Sequence, residues 1–406
     1  MKQNQFLKLD FPLIITCLAL LTIGLIAVYS ATHTFGLEET NYFKKQLSIA
    51  FGAVALMFLS AFLPFRWLNR FSYVIYGLSI FLLILVLFTG SRGFGAERWL
   101  IFGPLKLQPS ELAKLATILA VANFVSKPQI DINRLKHLLI AVGLIIIPAL
   151  LIARQPDLGT SLVFLALCLP LLFWAGLNWF YLFIIITPFI SMILSFNFYA
   201  FLAWMILIIA ILIFSARKPY ILIGIFLLHI IMGLMTPILW NQLKPYQQKR
   251  ILTFMSPEDD PKGAGYQIIQ SKVAIGSGGI WGKGFLEGSQ TQLRFLPAQH
   301  TDFIFSVIGE EWGFMGVSII ICLFLVLLLY LIYLAGLVRS LFSSLTIIGI
   351  TTVFFFHIVI NIGMSVGLAP VTGLPLPFIS YGGSFLIMVF LMIGVVLNVS
   401  LNRFMV

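Results

Sequence analysis

A chain of 406 residues that is 60% hydrophobic and only 10% charged, with a mean hydropathy of +1.06, cannot clothe a water-facing surface; a soluble domain carries about 25% charged residues. That excludes a cytosolic enzyme, a secreted disulfide scaffold and a disordered tail. The formal charge of +11 is spread over short segments between apolar runs, which points to membrane topology and anionic lipid and not to nucleic acid.

A bilayer core takes about 20 apolar residues per helix. On that ruler the spans fall at roughly 11–31, 45–64, 71–89, 110–126, 138–153, 158–176, 179–195, 197–215, 220–239, 303–335, 344–366 and 384–402. The expectation is an all-α polytopic bundle of about twelve transmembrane helices forming one integral membrane domain, 1–406. The first run is long for the apolar core of a cleaved signal and reads as an uncleaved span. The stretch 179–215 is too long for one span, and Ser195, Asn197 and Tyr199 split it into a hairpin. Cys17, Cys168 and Cys322 each lie inside an apolar run and read as small core hydrophobes. Segments on the N-terminal side hold eleven Lys and Arg, from Lys2 to Arg403. Short loops on the other side hold six: Lys44, Lys45, Arg92, Arg98, Lys106 and Arg154. That bias puts both termini in the cytoplasm.

Two outer segments are longer than minimal connectors: 90–108 and 240–301. Long loops are usually functional or disordered, and the aromatic content of the second argues for order. In GAERWLIFG, Arg98 stands a few residues before Glu111, on the same face, where its planar fork suits a diphosphate. In QPSELAK, Pro109 and Ser110 suit a helix start, with Ser as N-cap or Pro in the first turn. Glu111 and Lys114 are then i and i+3, close enough to pair. They read either as a buried lock between helices or as the charged floor of an outward cavity. Asp157 in RQPDLGT reads first as the cap of the next helix.

The long loop holds seven basic and four acidic residues, yet Glu258, Asp259 and Asp260 stand together before Pro261. A carboxylate amid cations is how a site presents a general base beside an anionic substrate, and the residues alone leave open which of the three acts. The run Gly276, Gly278, Gly279, Gly282 and Gly284 is no Walker phosphate loop: that motif needs glycine where Ser277 stands and Ser or Thr where Gly284 stands. A tight backbone with Lys272 and Lys283 near the membrane surface, suited to phosphate, is the expectation. His300 reads as structural when taken alone; Asp302, Glu310 and Glu311 crowd the start of the next span. PVTGLPLPFISYGGS, with three prolines and three glycines, reads as a re-entrant or loop wall, backbone that must be buried in protein or line a cavity.

Taken together, GAERW (Gly95–Trp99), QPSELAK (Gln108–Lys114), QPDLGT (Gln155–Thr160), PEDDPKGAGYQIIQS (Pro257–Ser271), the run Gly282–Glu311 and PLPFISYGGS (Pro375–Ser384) resemble the SEDS family (shape, elongation, division and sporulation) over nearly the whole chain. The wording of Gly282–Phe305 is similar to the rod-shape branch and not to the division branch. The resemblance implies a peptidoglycan glycosyltransferase that polymerises lipid II during cell elongation and releases undecaprenyl diphosphate. It implies a bacterial inner-membrane location, a class B penicillin-binding protein as crosslinking partner, and other elongation-complex membrane proteins. It places the essential acid on Asp260 and carries the family's Glu, Lys and Arg onto Glu111, Lys114 and Arg98. Lys272, Lys283, His300, Asp302, Ser380 and Tyr381 complete the candidate substrate-binding set, with Mg or Mn as a possible divalent cation. The family pattern has ten spans, so the hairpin at 179–215 is a surplus. The alternative is a lipid II flippase, which paired intramembrane charges would serve without glycosyl transfer; a scaffold that only positions a transpeptidase is a third reading.

Overall fold

The computed structural model describes residues 9–34, 37–38, 40–89, 91–93, 96–102, 105–214, 218–256, 258 and 263–403. Helices dominate them. Seven are long and apolar enough to cross a membrane: α1 (Phe11–Thr32), α2 (Thr40–Ala61), α6 (Leu135–Arg154), α10 (Pro219–Gln242), α14 (Ile304–Leu337), α15 (Leu341–Val366) and α16 (Gly383–Leu401). Shorter apolar helices are α4 (Ser72–Thr89), α7 (Leu158–Trp174), α8 (Trp179–Leu194) and α9 (Phe198–Ile213), and α3 (Phe65–Arg70) is a single short turn.

The centre of the bundle is α5 (Pro109–Val125), in which only Leu112 and Phe124 escape full burial. Its alanines let α4, α6 and α15 approach closely, as small residues do between helices in lipid. The helices α15 and α16 are also largely buried, so these three form the interior. By contrast α8, α9 and α10 enclose a separate small core around Ile208, Leu212 and Ile225. Asn197 breaks α8 from α9 by accepting the Tyr199 and Ala200 N–H groups at 3.0 and 3.1 Å.

Three sequence expectations change here. The 90–108 segment is not all loop: β3 (Ser91–Gly93), β4 (Ala96–Phe102) and β5 (Leu105–Leu107) make an antiparallel sheet, and β1 (His33–Thr34) pairs with β2 (Leu37–Glu38). An all-α reading misses strands this short. Gln108, not Ser110, occupies the N-cap of α5, with Pro109 next; the Ser110 hydroxyl has no hydrogen-bond partner among the described residues. The long loop is largely helical, containing α11 (Pro245–Met255), α12 (Ala264–Ser277) and α13 (Ser289–Gln292).

The glycine run explains α14. That helix is interrupted at Gly313 (φ 64°, ψ −162°), a conformation open to glycine alone at low energy. In a continuous helix Phe314 N–H would donate to the Glu310 carbonyl and Met315 N–H to that of Glu311. Here Phe314 N–H donates to Gly279 O at 2.9 Å and Met315 N–H to Ile280 O at 3.1 Å. The freed carbonyls of Glu310 and Glu311 accept from Lys283 and Gly284 N–H, each at 3.0 Å. The turn after α12 thus replaces the broken helix bonds one for one. Backbones this close leave no room for a Cβ at Gly282, which would run into the Glu311 carbonyl.

Gly282→Ala, at φ +80°, is expected to destabilise the protein by about 1–3 kcal/mol. Gly276→Ala, inside α12 with open space around it, should be neutral or stabilising by about 0.5–1 kcal/mol. Thermal unfolding of both in detergent micelles checks the contrast; equal losses would refute the docking role of the turn.

Candidate active site

The segment between α15 and α16 lies at the same end of the bundle as α12, α13 and the start of α14, and it is tightly fastened there. Ser380 Oγ donates to Thr301 O at 2.6 Å and accepts from Leu376 N–H at 2.8 Å. Tyr381 N–H donates to His300 O at 2.9 Å. From α15, the Asn361 amide donates to both Asp302 O (2.9 Å) and Leu374 O (2.8 Å). Phe378 sits at φ 65°, a strained angle for a bulky residue, and is held there between the Phe354 and Phe390 rings at 5.6 and 5.4 Å.

This fastening builds a shelf. The His300 ring lies 5.1 Å from Tyr42 and 5.5 Å from Tyr381, and the Asp302 carboxylate faces Gly373. Burial, with Tyr42 beside it, pushes the Tyr381 phenol above its ordinary range, so it stays protonated at neutral pH and can donate a hydrogen bond. Ser380 is buried and its hydroxyl is engaged with backbone, so it pins the loop.

Behind the same loop lies the charge pair. Lys114 Nζ is 2.8 Å from Glu111 Oε2 and 3.0 Å from Oε1. Lys114 is 0% exposed, and its ammonium also lies over the Phe385 ring at 5.3 Å and 3.1 Å from His357 Nε2. Among the described residues the pair is buried, with the Glu111 side chain 6% exposed, which fits a lock between helices better than an open charged floor. His357 bears on it and was missed in the sequence, although His357, Asn361 and Ser365 repeat at i, i+4 and i+8 along α15 and mark one polar face within a span.

The remaining candidates separate. Lys283 is bonded to Glu310 Oε1 at 2.8 Å and to Ser289 Oγ at 2.7 Å. Glu310 also accepts from the Gln290 and Thr291 N–H groups at 2.9 and 3.0 Å, so this pair ties α13 to α14. Its neighbour Glu311 is buried and bonded to Ser30 of α1. Lys272 is exposed and lays its stem against Gly367, the left-handed cap of α15. Arg98 is on strand β4, not on α5, so the shared helical face with Glu111 does not exist; its side chain lies outside the described residues, as do Asp259 and Asp260. Asp157 caps α7, accepting Thr160 N–H at 3.1 Å. Among the described residues no three His, Cys, Asp or Glu side chains converge to hold a metal.

The family model FTSW_RODA_SPOVE, a cell cycle protein family, matches residues 11–204 and 189–404. The chain belongs to this family. It is 36% identical over 396 residues to the peptidoglycan glycosyltransferase MrdB of Escherichia coli (strain K12), covering 97% of this chain and 94% of that one. It is 36% identical over 399 residues to the stage V sporulation protein E of Bacillus subtilis (strain 168), covering 96% of each. Among solved structures, a chain described under "Structural coordination of polymerization and crosslinking by a peptidoglycan synthase complex" superposes with a TM-score of 0.74 at 35% identity, covering 98% of both chains. With its apolar helices, the chain is a multi-pass membrane protein of that family.

Lys114→Met leaves the Glu111 carboxylate buried without its partner, which is expected to cost about 3–5 kcal/mol. Adding Glu111→Gln should recover much of that loss, because neither charge then remains. Denaturant unfolding in micelles reads both; a double variant as unstable as the single one would refute a charge-pairing role.

Proposed function

We infer that this chain is a peptidoglycan glycosyltransferase that polymerises lipid II. The observation that carries this is 36% identity across 97% of the chain to a protein bearing that name. The motif segments from Gly95 to Ser384 support it. Asp260, in the loop 240–301, is the base. It takes the proton of the acceptor sugar's 4-hydroxyl; that oxygen bonds to the anomeric carbon of the donor, and the bond from that carbon to undecaprenyl diphosphate breaks. A departing diphosphate needs positive charge, which Arg98 and Lys272 supply. Lys283, engaged by Glu310, orders the loop, and Lys114 acts from behind the 370–382 loop. His300, Asp302 and Tyr381 form the wall against which the sugar headgroup binds.

The likeness to a chain of a peptidoglycan synthase complex that coordinates polymerization and crosslinking supports a crosslinking partner, which we assign to a class B penicillin-binding protein within an elongation complex. Twelve spans, counting the α8–α9 hairpin, give an even number, and with the Lys and Arg bias this leaves both termini in the cytoplasm of an inner-membrane protein.

Purified protein supplied with labelled lipid II, with and without the partner, tests the reading. Polymer is expected from the wild type, and Asp260→Ala should fall about 10²–10⁴-fold in rate while remaining folded and inserted. A variant that polymerises at the wild-type rate removes Asp260 as base; translocation of lipid II without polymer favours a carrier instead.

A divalent cation, Mg or Mn, would add positive charge beside the diphosphate. If one takes part, chelation should stop polymerisation and Mg or Mn should restore it; activity untouched by chelator removes the cation.

A further inference from the structure

His357 lies in the second half of α15 with no exposed surface, and it joins parts of the molecule distant in sequence. Its Nε2 is 3.1 Å from Lys114 Nζ, and its Nδ1 is 3.0 Å from the Pro375 carbonyl. An ammonium has only protons to give and a carbonyl only lone pairs. The tautomer follows: Nε2 accepts from Lys114, and the proton on Nδ1 is donated to Pro375 O. The ring stacks on Phe385 at 4.9 Å and 28°, the same ring that lies beneath the Lys114 ammonium. Helices α5, α15 and α16 and the 370–382 loop therefore meet at one neutral imidazole.

A residue that merely filled space here would be apolar, since a buried ring nitrogen without a partner is costly. Both nitrogens of His357 have partners, and the two are different in kind. One is the charge pair; the other is the backbone of the loop that carries Ser380 and Tyr381. Among the described residues, Lys114 meets Glu111, His357 and the Phe385 face, and of these His357 is the one that reaches the loop.

We propose that His357 is a positioning residue for glycosyl transfer: it aims the Lys114 ammonium and fastens it to Pro375, so that the shelf of His300, Asp302 and Tyr381 keeps a fixed place over the Glu111–Lys114 pair. This rests on the glycosyltransferase reading. Two conservative variants divide its bonds. In His357→Asn the amide falls near the Nδ1 position and can donate to Pro375 but stops short of Lys114. In His357→Gln it falls near Nε2, reaching Lys114 and leaving Pro375 unpaired.

The experiment uses the full-length protein in liposomes with labelled lipid II. His357→Ala should lower kcat about tenfold or more with KM changed less than about threefold, and Asn and Gln should each restore part of the loss. Because one of the two His357 bonds is to Lys114, adding His357→Ala to Lys114→Met should slow the reaction by clearly less than the product of the two single losses. Wild-type kcat in His357→Ala, or multiplicative losses in the double variant, would overturn the proposal. Hydrogen exchange over 370–382 decides without catalysis: exchange about tenfold faster in His357→Ala supports the tie, and unchanged exchange overturns it. A wild type that makes no polymer refutes the glycosyltransferase reading, and the exchange result then judges the tie alone.

Discussion

Inside a bilayer no water stands ready to receive a loose N–H or C=O, and each one left over costs several kcal/mol. The break at Gly313 is possible only because the turn after α12 takes over the hydrogen bonds the helix gives up. Four backbone bonds cross between Gly279–Gly284 and Glu310–Met315. Once that exchange is made, the start of α14 is fixed in direction, and with it His300 and Asp302 just before the helix. The 370–382 loop obeys the same constraint, its carbonyls being met by Asn361 and His357 from α15.

Charge is handled by the same logic. A lone ammonium at Lys114 would be intolerable at that depth. Glu111 one turn earlier supplies the counter-charge, the Phe385 ring supplies a negative face, and His357 accepts the further proton. Lys283 and Glu310 repeat the device nearer the surface, where the carboxylate is also met by two backbone N–H groups of α13. Both pairs are locked into the fold, whereas Lys272 stays exposed.

Local rules made part of this legible. The i, i+3 spacing of Glu111 and Lys114 foretold their contact, and Asp157 three residues before Thr160 foretold its cap, because both lie within one turn. Spacing could reject a phosphate loop at Gly282–Lys283, but could not foresee that the glycines dock on Gly313, thirty-one residues further on. Arg98 shows a related limit: nearness in sequence to Glu111 does not give a shared helical face, because Arg98 stands on β4 and β5 follows before α5 begins. His357 sat unnoticed in a Phe-rich run, since its two partners come from distant segments; the polar repeat with Asn361 and Ser365 was the trace it left.

The α8–α9 hairpin carries a consequence for the membrane itself. A helix of 16 residues rises about 24 Å, less than the roughly 30 Å of a hydrocarbon core. Exposed aromatic residues mark both ends of α8, Trp179 at one and Phe196, Phe198 and Tyr199 at the hairpin tip, and such rings settle at headgroup level. If this hairpin crosses the bilayer, a mismatch on this flank has to be met by thinner leaflets or by flanking side chains that snorkel, a demand absent beside the 24-residue α10.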